Sequence, residues 1–191
     1  GTIVTTLTYA PLTAERLADY LRFFDTRAFV DNPRWAGCYC YFPLHDPAHT
    51  DWGKRSAAEN RAAVTACIQA GTARGVLAYE GGDVVGWCNA GPWSQFQMLH
   101  ETPEPEADRL GVIFCFVVAP EWRGRGVAAG LLAAACNELR AQGLQIARAK
   151  PVKSATSAAT NHLGPLTLYL KAGFRVIREE GDDVFVEKAL T

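Results

Sequence analysis

The 191-residue chain has no surplus of charge of either sign: nineteen Lys and Arg stand against twenty Asp and Glu, a formal net charge of -1. That balance excludes bulk attraction to a nucleic-acid backbone or an anionic membrane, so no nucleic-acid partner is expected and any charge logic is local. No apolar run approaches the ~20 residues that a membrane-spanning helix needs. The longest, Val112 to Pro120 and Val127 to Cys136, fall far short, and no membrane contact is expected. Gly1 to Leu12 holds neither a basic leader nor a long apolar stretch, which predicts no signal peptide. Internal repeats, low-complexity tracts and Gly/Ser- or Pro-rich linkers are missing too. With about half of its residues hydrophobic, the chain is expected to form one domain over residues 1–191.

A C-x2-C pair is also missing. Six cysteines, Cys38, Cys40, Cys67, Cys88, Cys115 and Cys136, are scattered through apolar sequence in a chain large enough to need no staples, which reads as the reduced thiols of a cytoplasmic protein. Cys38, Cys40, His45 and His49 fall close together. Their C-x-C spacing and the bulky aromatics between them favour buried or pocket-lining side chains over a zinc site, and no metal is expected.

Hydrophobic period assigns the elements. Ile3 to Leu7 is expected as a first strand, and Thr13 as the cap of a helix through Phe24, with Leu17, Tyr20, Leu21 and Phe24 at helical spacing. Phe29 to Trp52 is irregular, aromatic and punctuated by proline. Ser56 and Glu59 form a capping box for a helix that ends at Gly71. Gly75 to Tyr79, Val84 to Asn89 and Leu110 to Val118 read as an antiparallel meander, the first two joined by Glu80-Gly81-Gly82-Asp83. Before the third of these, Glu101, Glu104, Glu106 and Asp108 read as a solvated acidic loop rather than a docking site for a cation. Val127, Leu131, Ala135 and Leu139 mark an amphipathic helix ended by Gly143, and Gln145 to Ala149 follows as a strand parallel to its predecessor. Pro165 opens a short helix to Ala172, and Phe174 to Arg178 with Val184 to Lys188 closes the chain as a hairpin.

Chemistry concentrates at Arg123-Gly124-Arg125-Gly126-Val127-Ala128. Unpaired N–H groups at a helix start point one way and the helix dipole adds positive charge, which suits a phosphate. Glycines let that phosphate approach the backbone, and Arg123 and Arg125 add formal charge. A nucleoside-triphosphate loop is excluded because no Lys-Ser or Lys-Thr follows the glycines. A dinucleotide turn fits poorly, since Ala119 to Arg123 separate the strand from the first glycine and Lys150 stands where an acidic residue is needed.

The stretch Phe116 to Ala128 resembles the strand, Val-x-Pro and Arg-x-x-Gly-x-Gly/Ala motif of the GNAT superfamily of N-acetyltransferases. Some forty residues later, Leu168-Tyr169-Leu170-Lys171-Ala172-Gly173-Phe174 resembles the family's second signature, Leu-Tyr-x-x-x-Gly-Phe. The resemblance implies a single-domain α/β fold. It has a mixed central sheet of about six or seven strands, splayed between the fourth and fifth, with helices on both faces. Acetyl-CoA is the implied co-substrate. Phe116, Val117 and Val118 are the implied backbone partners of its pantetheine arm, and Arg123, Gly124, Arg125, Gly126, Val127 and Ala128 of its pyrophosphate. An N–H near Val117 or Val118 is the implied donor to the oxyanion, and Tyr169 the acid for the departing thiolate. The reaction implied is direct transfer to a small-molecule or peptide amine; a homodimer is compatible, as is a CoA-binding module without catalysis.

Trp35, Tyr39, Trp87 and Asn89 are candidates to line the acceptor cleft, with the other aromatics as core. Two features depart from the family. Leu110-Gly111-Val112-Ile113 lacks the carboxylate some members use as a base, and His162-Leu163-Gly164-Pro165 stands where many carry Asn followed by small residues. Cys115 has no histidine near in sequence to activate it and reads as core.

Overall fold

A computed structural model describes residues 6–153 and 160–191. The expected strand at Ile3 to Leu7 falls largely outside these residues, and the described strand, β1, runs Leu7–Pro11. Its position is set by pairing, because Leu7 to Pro11 lies antiparallel to Glu80 to Val76 and Leu12 continues the ladder by donating to the Gly75 carbonyl at 2.8 Å. Thr13 is extended but makes no side-chain cap, and a 3-10 turn at Ala14–Arg16 precedes helix α1, Leu17–Thr26. The first turn is therefore tighter than the periodicity predicts. Tyr20, Phe23 and Phe24 form its buried stripe.

Helix α2, Ala57–Ala70, carries the expected capping box in both directions and ends at Gly71, whose φ of 74° is the left-handed stop that glycine supplies. Strands β2 (Gly75–Glu80), β3 (Asp83–Pro92) and β4 (Leu110–Val118) form the predicted meander. Helix α3 (Val127–Ala141) crosses to β5 (Ile146–Ala149), which is parallel to β4. Helix α4 (Leu166–Lys171) leads into the hairpin of β6 (Arg175–Glu180) and β7 (Asp183–Ala189). The sheet order is β1-β2-β3-β4-β5-β7-β6, with β4 and β5 the only parallel neighbouring strands among the described residues.

Each face of this sheet is sealed by a separate core. On one face α3 buries Val127, Leu131, Leu132, Ala135 and Leu139 against Val76, Ala78, Ile113 and Ala147. Each large aliphatic side chain so buried contributes about 1.5–3 kcal/mol, which holds α3 more firmly than its own hydrogen bonds do. The other face packs Tyr20, Phe23, Phe24, Val64 and Ile68 of α1 and α2 against Leu77, Trp87 and Val117.

The two strands at the centre do not stay together. β5 pairs with β4 over Leu110 to Ile113 alone, so Phe114 to Val118 of β4 continue beside β3 with no β5 partner. The sheet opens there, between its fourth and fifth strands.

Candidate active site

The open edge of β4 has a defined polarity. Cys115 to Val118 pair in sequence with Asn89 to Gly86, and Ala119 donates to the Val85 carbonyl at 2.9 Å. Backbone groups alternate sides along a strand, so Val117 and Cys115, like Ala119, turn theirs toward β3. Phe116 and Val118 turn theirs into the opening. The sequence-based choice of Val117 or Val118 as an N–H donor toward the opening thus narrows to Val118. A second interruption was not foreseen: Asn89 pairs with Cys115 but Ala90 with Ile113, so Phe114 is an extra residue, a β-bulge where β5 also stops.

Beyond Val118 the chain makes a 3-10 turn at Pro120–Trp122 and enters the glycine segment. Gly124 and Gly126 have φ of 74° and 81°, and a Cβ at either would meet nothing within 4 Å. These glycines serve backbone conformation, and they leave open space above it. Gly126 caps α3, whose first reverse bond is Gly130 N–H to the Gly126 carbonyl at 3.1 Å, so the N–H groups of Val127, Ala128 and Ala129 precede the helical ladder. Val127 buries its side chain under the sheet and presents only backbone. The two arginines are held differently. Arg123 pairs with Asp31, holding that carboxyl below its usual range, whereas Arg125 lies over the Trp122 ring at 4.9 Å. Arg27 similarly pairs with Glu121.

Tyr169 lies fully buried on α4, edge-on to Phe116 at 6.2 Å and to Phe174 at 5.2 Å between ring centroids. Gly164 makes that packing possible, since a Cβ there would stand 3.0 Å from the tyrosine ring and 3.2 Å from Phe116. Burial raises the phenol well above its ordinary value of 10.0 and keeps it protonated. Its hydroxyl donates to the Leu163 carbonyl at 3.0 Å.

The four acceptor candidates separate. Trp87 and Asn89 are about 1% exposed, and Tyr39 is buried as well. Trp87 packs edge-on to Tyr20. Asn89 accepts from Gln95 at 3.2 Å and donates to the Cys40 carbonyl at 3.3 Å. Tyr39 donates to Asp25 at 2.6 Å, a carboxylate that Arg61 also holds. These three are interior groups rather than an open lining, because the irregular segment folds down onto β3 and β4. Trp35 alone reaches the rim, edge-on to His162 at 4.9 Å, where the segment after α1 touches the segment before α4.

The acidic loop also differs from expectation. Glu101 and Asp108 are exposed, but Glu104 and Glu106 turn in toward Arg148 of β5, which also bonds Glu187 of β7 at 2.8 Å. Burial pushes the Glu104 carboxyl up, and the Arg148 guanidinium together with the Glu106 backbone N–H more than offsets it, so its net shift is downward. Cys38, Cys40, His45 and His49 do not converge. Cys40 faces Cys115, His45 sits against Phe42 and Trp52, and His49 pairs with Asp46. Among the described residues no group of three or more His, Cys, Asp or Glu side chains is placed to hold a metal ion. No described helix is long and apolar enough to cross a membrane. A surface pocket of about 430 Å³, lined by Leu12, Ile68, Arg74, Glu138 and Gln142, lies at the far end of α3 from the glycine turn.

Comparison with known proteins agrees with this architecture. A model of the Acetyltransferase (GNAT) family matches residues 14–174. No curated protein matches the chain. Among solved structures, an N-acetyltransferase from Staphylococcus aureus Mu50 is 19% identical with a TM-score of 0.58, covering 98% of this chain and 100% of its own. YncA, a putative acetyltransferase from Salmonella typhimurium solved with its cofactor acetyl-CoA, is 17% identical with a TM-score of 0.57, covering 97% and 94%. The PaiA N-acetyltransferase from Thermoplasma acidophilum, in complex with coenzyme A, is 14% identical with a TM-score of 0.55, covering 96% and 99%. Identities this low speak for the fold alone.

Proposed function

The chain belongs to the GNAT acetyltransferase family, and from that membership we propose that it transfers the acetyl group of acetyl-CoA directly to a primary amine. One observation carries the reading: the unpaired edge of β4, with Phe116 and Val118 facing the opening, leads through the turn at Pro120–Trp122 into a helix start whose glycines leave room for a phosphate. A co-substrate with a pyrophosphate at one end and an amide-bearing arm at the other matches both halves. The YncA and PaiA structures, solved with acetyl-CoA and coenzyme A, support it.

On this reading the N–H groups from Gly124 to Ala129 receive the pyrophosphate, and Arg123 and Arg125 add charge beside it. Arg123 must first leave Asp31. The arm then runs back along β4 as an added strand, bonding Phe116 and Val118. Four residues of strand span about 13 Å, which brings the thioester to the bulge at Phe114. There a backbone N–H freed from the regular ladder, in place of the Val118 N–H to which the sequence-based choice narrows and which here bonds the arm, steadies the oxyanion formed when the amine attacks the carbonyl carbon. As that intermediate collapses the C–S bond breaks and the thiolate takes a proton from Tyr169. The phenol sits beside Phe116 on the opening and is kept protonated by burial, but its proton must swing from the Leu163 carbonyl to the sulfur. No carboxylate stands on Leu110 to Ile113, so water removes the proton from the ammonium form of the acceptor.

The existing Tyr169 bond to Leu163 favours one other reading, a CoA-binding module that performs no transfer. A thiol-release screen with acetyl-CoA and a broad panel of amines separates the two. The expected result is release above the hydrolytic background with at least one amine. Tight acetyl-CoA binding with no release across the panel would leave the binding module.

A further inference from the structure

Cys40 and Cys115 are 75 residues apart in sequence, and their Sγ atoms stand 2.9 Å apart, within sulfur hydrogen-bond reach. Both side chains are buried. Cys115 follows the bulge on β4, while Cys40 belongs to the segment between α1 and α2 and is brought to it by an unusual backbone. Tyr39 and Cys40 have φ of 50° and 48°, a left-handed conformation that costs a non-glycine residue roughly 1–2 kcal/mol each. Such strain persists only where the surroundings over-determine it. Here Tyr20 donates to the Tyr39 carbonyl at 2.7 Å and Asn89 to the Cys40 carbonyl.

The sulfur of Cys40 also stands in a ring of donors. Asn89 Nδ2 lies 3.3 Å from it, and nearby the indole N–H of Trp87 is buried with no hydrogen-bond partner among the described residues. The contact with Cys115 lowers the Cys40 pKa, burial opposes it and Asn89 adds to the lowering, while the bond to Cys40 and burial both raise that of Cys115. Burial instead pushes Cys38 up to about 12 and Cys88 well above its ordinary value. Either sulfur can donate in this contact, but among the described residues only Cys40 has a further donor placed on its sulfur, the Asn89 amide, so Cys40 is suited to attack as a thiolate and Cys115 to resolve.

We propose that Cys40 and Cys115 are a redox-active thiol pair, oxidised by a hydroperoxide to a disulfide that ties the segment between α1 and α2 to β4 beside the opening. The Cys40 thiolate attacks a peroxide oxygen, breaking the O–O bond and leaving a sulfenic acid and one water or alcohol. Cys115 then attacks the sulfenic sulfur, the S–S bond forms and a water departs. Two thiols are oxidised and one peroxide is reduced. The sulfurs need only close from 2.9 Å to a bond of about 2.05 Å.

Peptide mapping of the reduced full chain, treated with hydrogen peroxide under native conditions and then alkylated, tests the pair without recourse to activity. A cross-linked peptide joining Cys40 to Cys115, reversed by dithiothreitol, is expected, with Cys38, Cys67, Cys88 and Cys136 still alkylated. In Cys115→Ser a dimedone-trapped sulfenic acid at Cys40 replaces the cross-link. Either sulfur remaining reduced while other cysteines oxidise, or Cys40 joining Cys38, overturns the proposal. A regulatory consequence rests on the acetyltransferase reading: oxidation raises the acceptor KM severalfold and leaves the KM for acetyl-CoA nearly unchanged. An unaltered acceptor KM in the mapped disulfide form removes that consequence, whereas absence of transfer by the reduced protein counts against the acetyltransferase reading alone.

Discussion

Residues 119–128 and the segment between α1 and α2 meet at the Arg123–Asp31 ion pair, yet they reach their shapes by different means. In the former, positive φ falls on Gly124 and Gly126, where it costs little, and the helix that follows fixes the direction of the N–H groups. In the latter, positive φ falls on Tyr39 and Cys40, where it is unfavourable, and remote groups hold it: Tyr20, Asp25, Asn89 and Cys115. Asn60 adds a bond to the Gly37 carbonyl at 2.8 Å. A backbone that satisfies itself locally can offer its N–H groups to a ligand. One held by side chains from four other elements answers to changes in those elements.

Substitutions on the two sides sharpen this contrast. The largest effect is expected for Gly126→Glu, which puts a side chain at φ of 81° and a negative charge at the helix start; acetyl-CoA affinity should fall on the order of a thousandfold by calorimetry. Unchanged affinity in a folded variant would remove the pyrophosphate site. Tyr169→Phe should lower kcat about a hundredfold while acetyl-CoA affinity holds. A wild-type rate with chemistry limiting takes Tyr169 out of the reaction.

The third prediction concerns pH. Tyr20 lies beneath the segment between α1 and α2 and Tyr169 beside the opening in the sheet, and burial raises both pKa values above the ordinary 10.0. Above that value the unfolded chain releases protons that the folded chain retains, so stability should fall as pH rises, by about 1.4 kcal/mol per pH unit for each phenol. Denaturant titrations from about pH 9 to about pH 11, across the range in which a free phenol ionises, should show Tyr20→Phe and Tyr169→Phe each flattening the slope. A slope untouched by either substitution would mean that these phenols are accessible in the folded state. The smallest effect is expected for Asp31→Asn, which frees Arg123 from an exposed ion pair. Acetyl-CoA affinity should rise roughly two- to fivefold, in line with the modest worth of such pairs. Weaker binding would show that Asp31 helps to build the site instead of competing for it.

Much of the cofactor side was legible in the sequence, because its signals are local. A capping box, a glycine past a helix end and an i, i+4 stripe each fix a few residues within one or two turns, and Ser56, Gly71 and the α3 stripe appear where they were expected. The order of Arg123 to Ala128 and Tyr169 to Phe174 was enough to anticipate the family and the splayed sheet. The packing of the segment between α1 and α2 onto β3 and β4 was not legible. Trp87, Asn89 and Tyr39 looked like cleft residues because aromatic and amide side chains serve core and binding site equally well, and only burial separates them. Glu104 and Glu106 looked solvated because nothing near them in sequence announces Arg148.

The sequence by itself determined the strand, turn and helix that suit a phosphate, since the relevant interactions span a few neighbouring residues. Only the tertiary structure decided the bulge at Phe114, the claim of Asp31 on Arg123 and the meeting of Cys40 with Cys115. Each depends on pairing register or on contacts between segments tens of residues apart, and a one-residue slip in register would reassign them all.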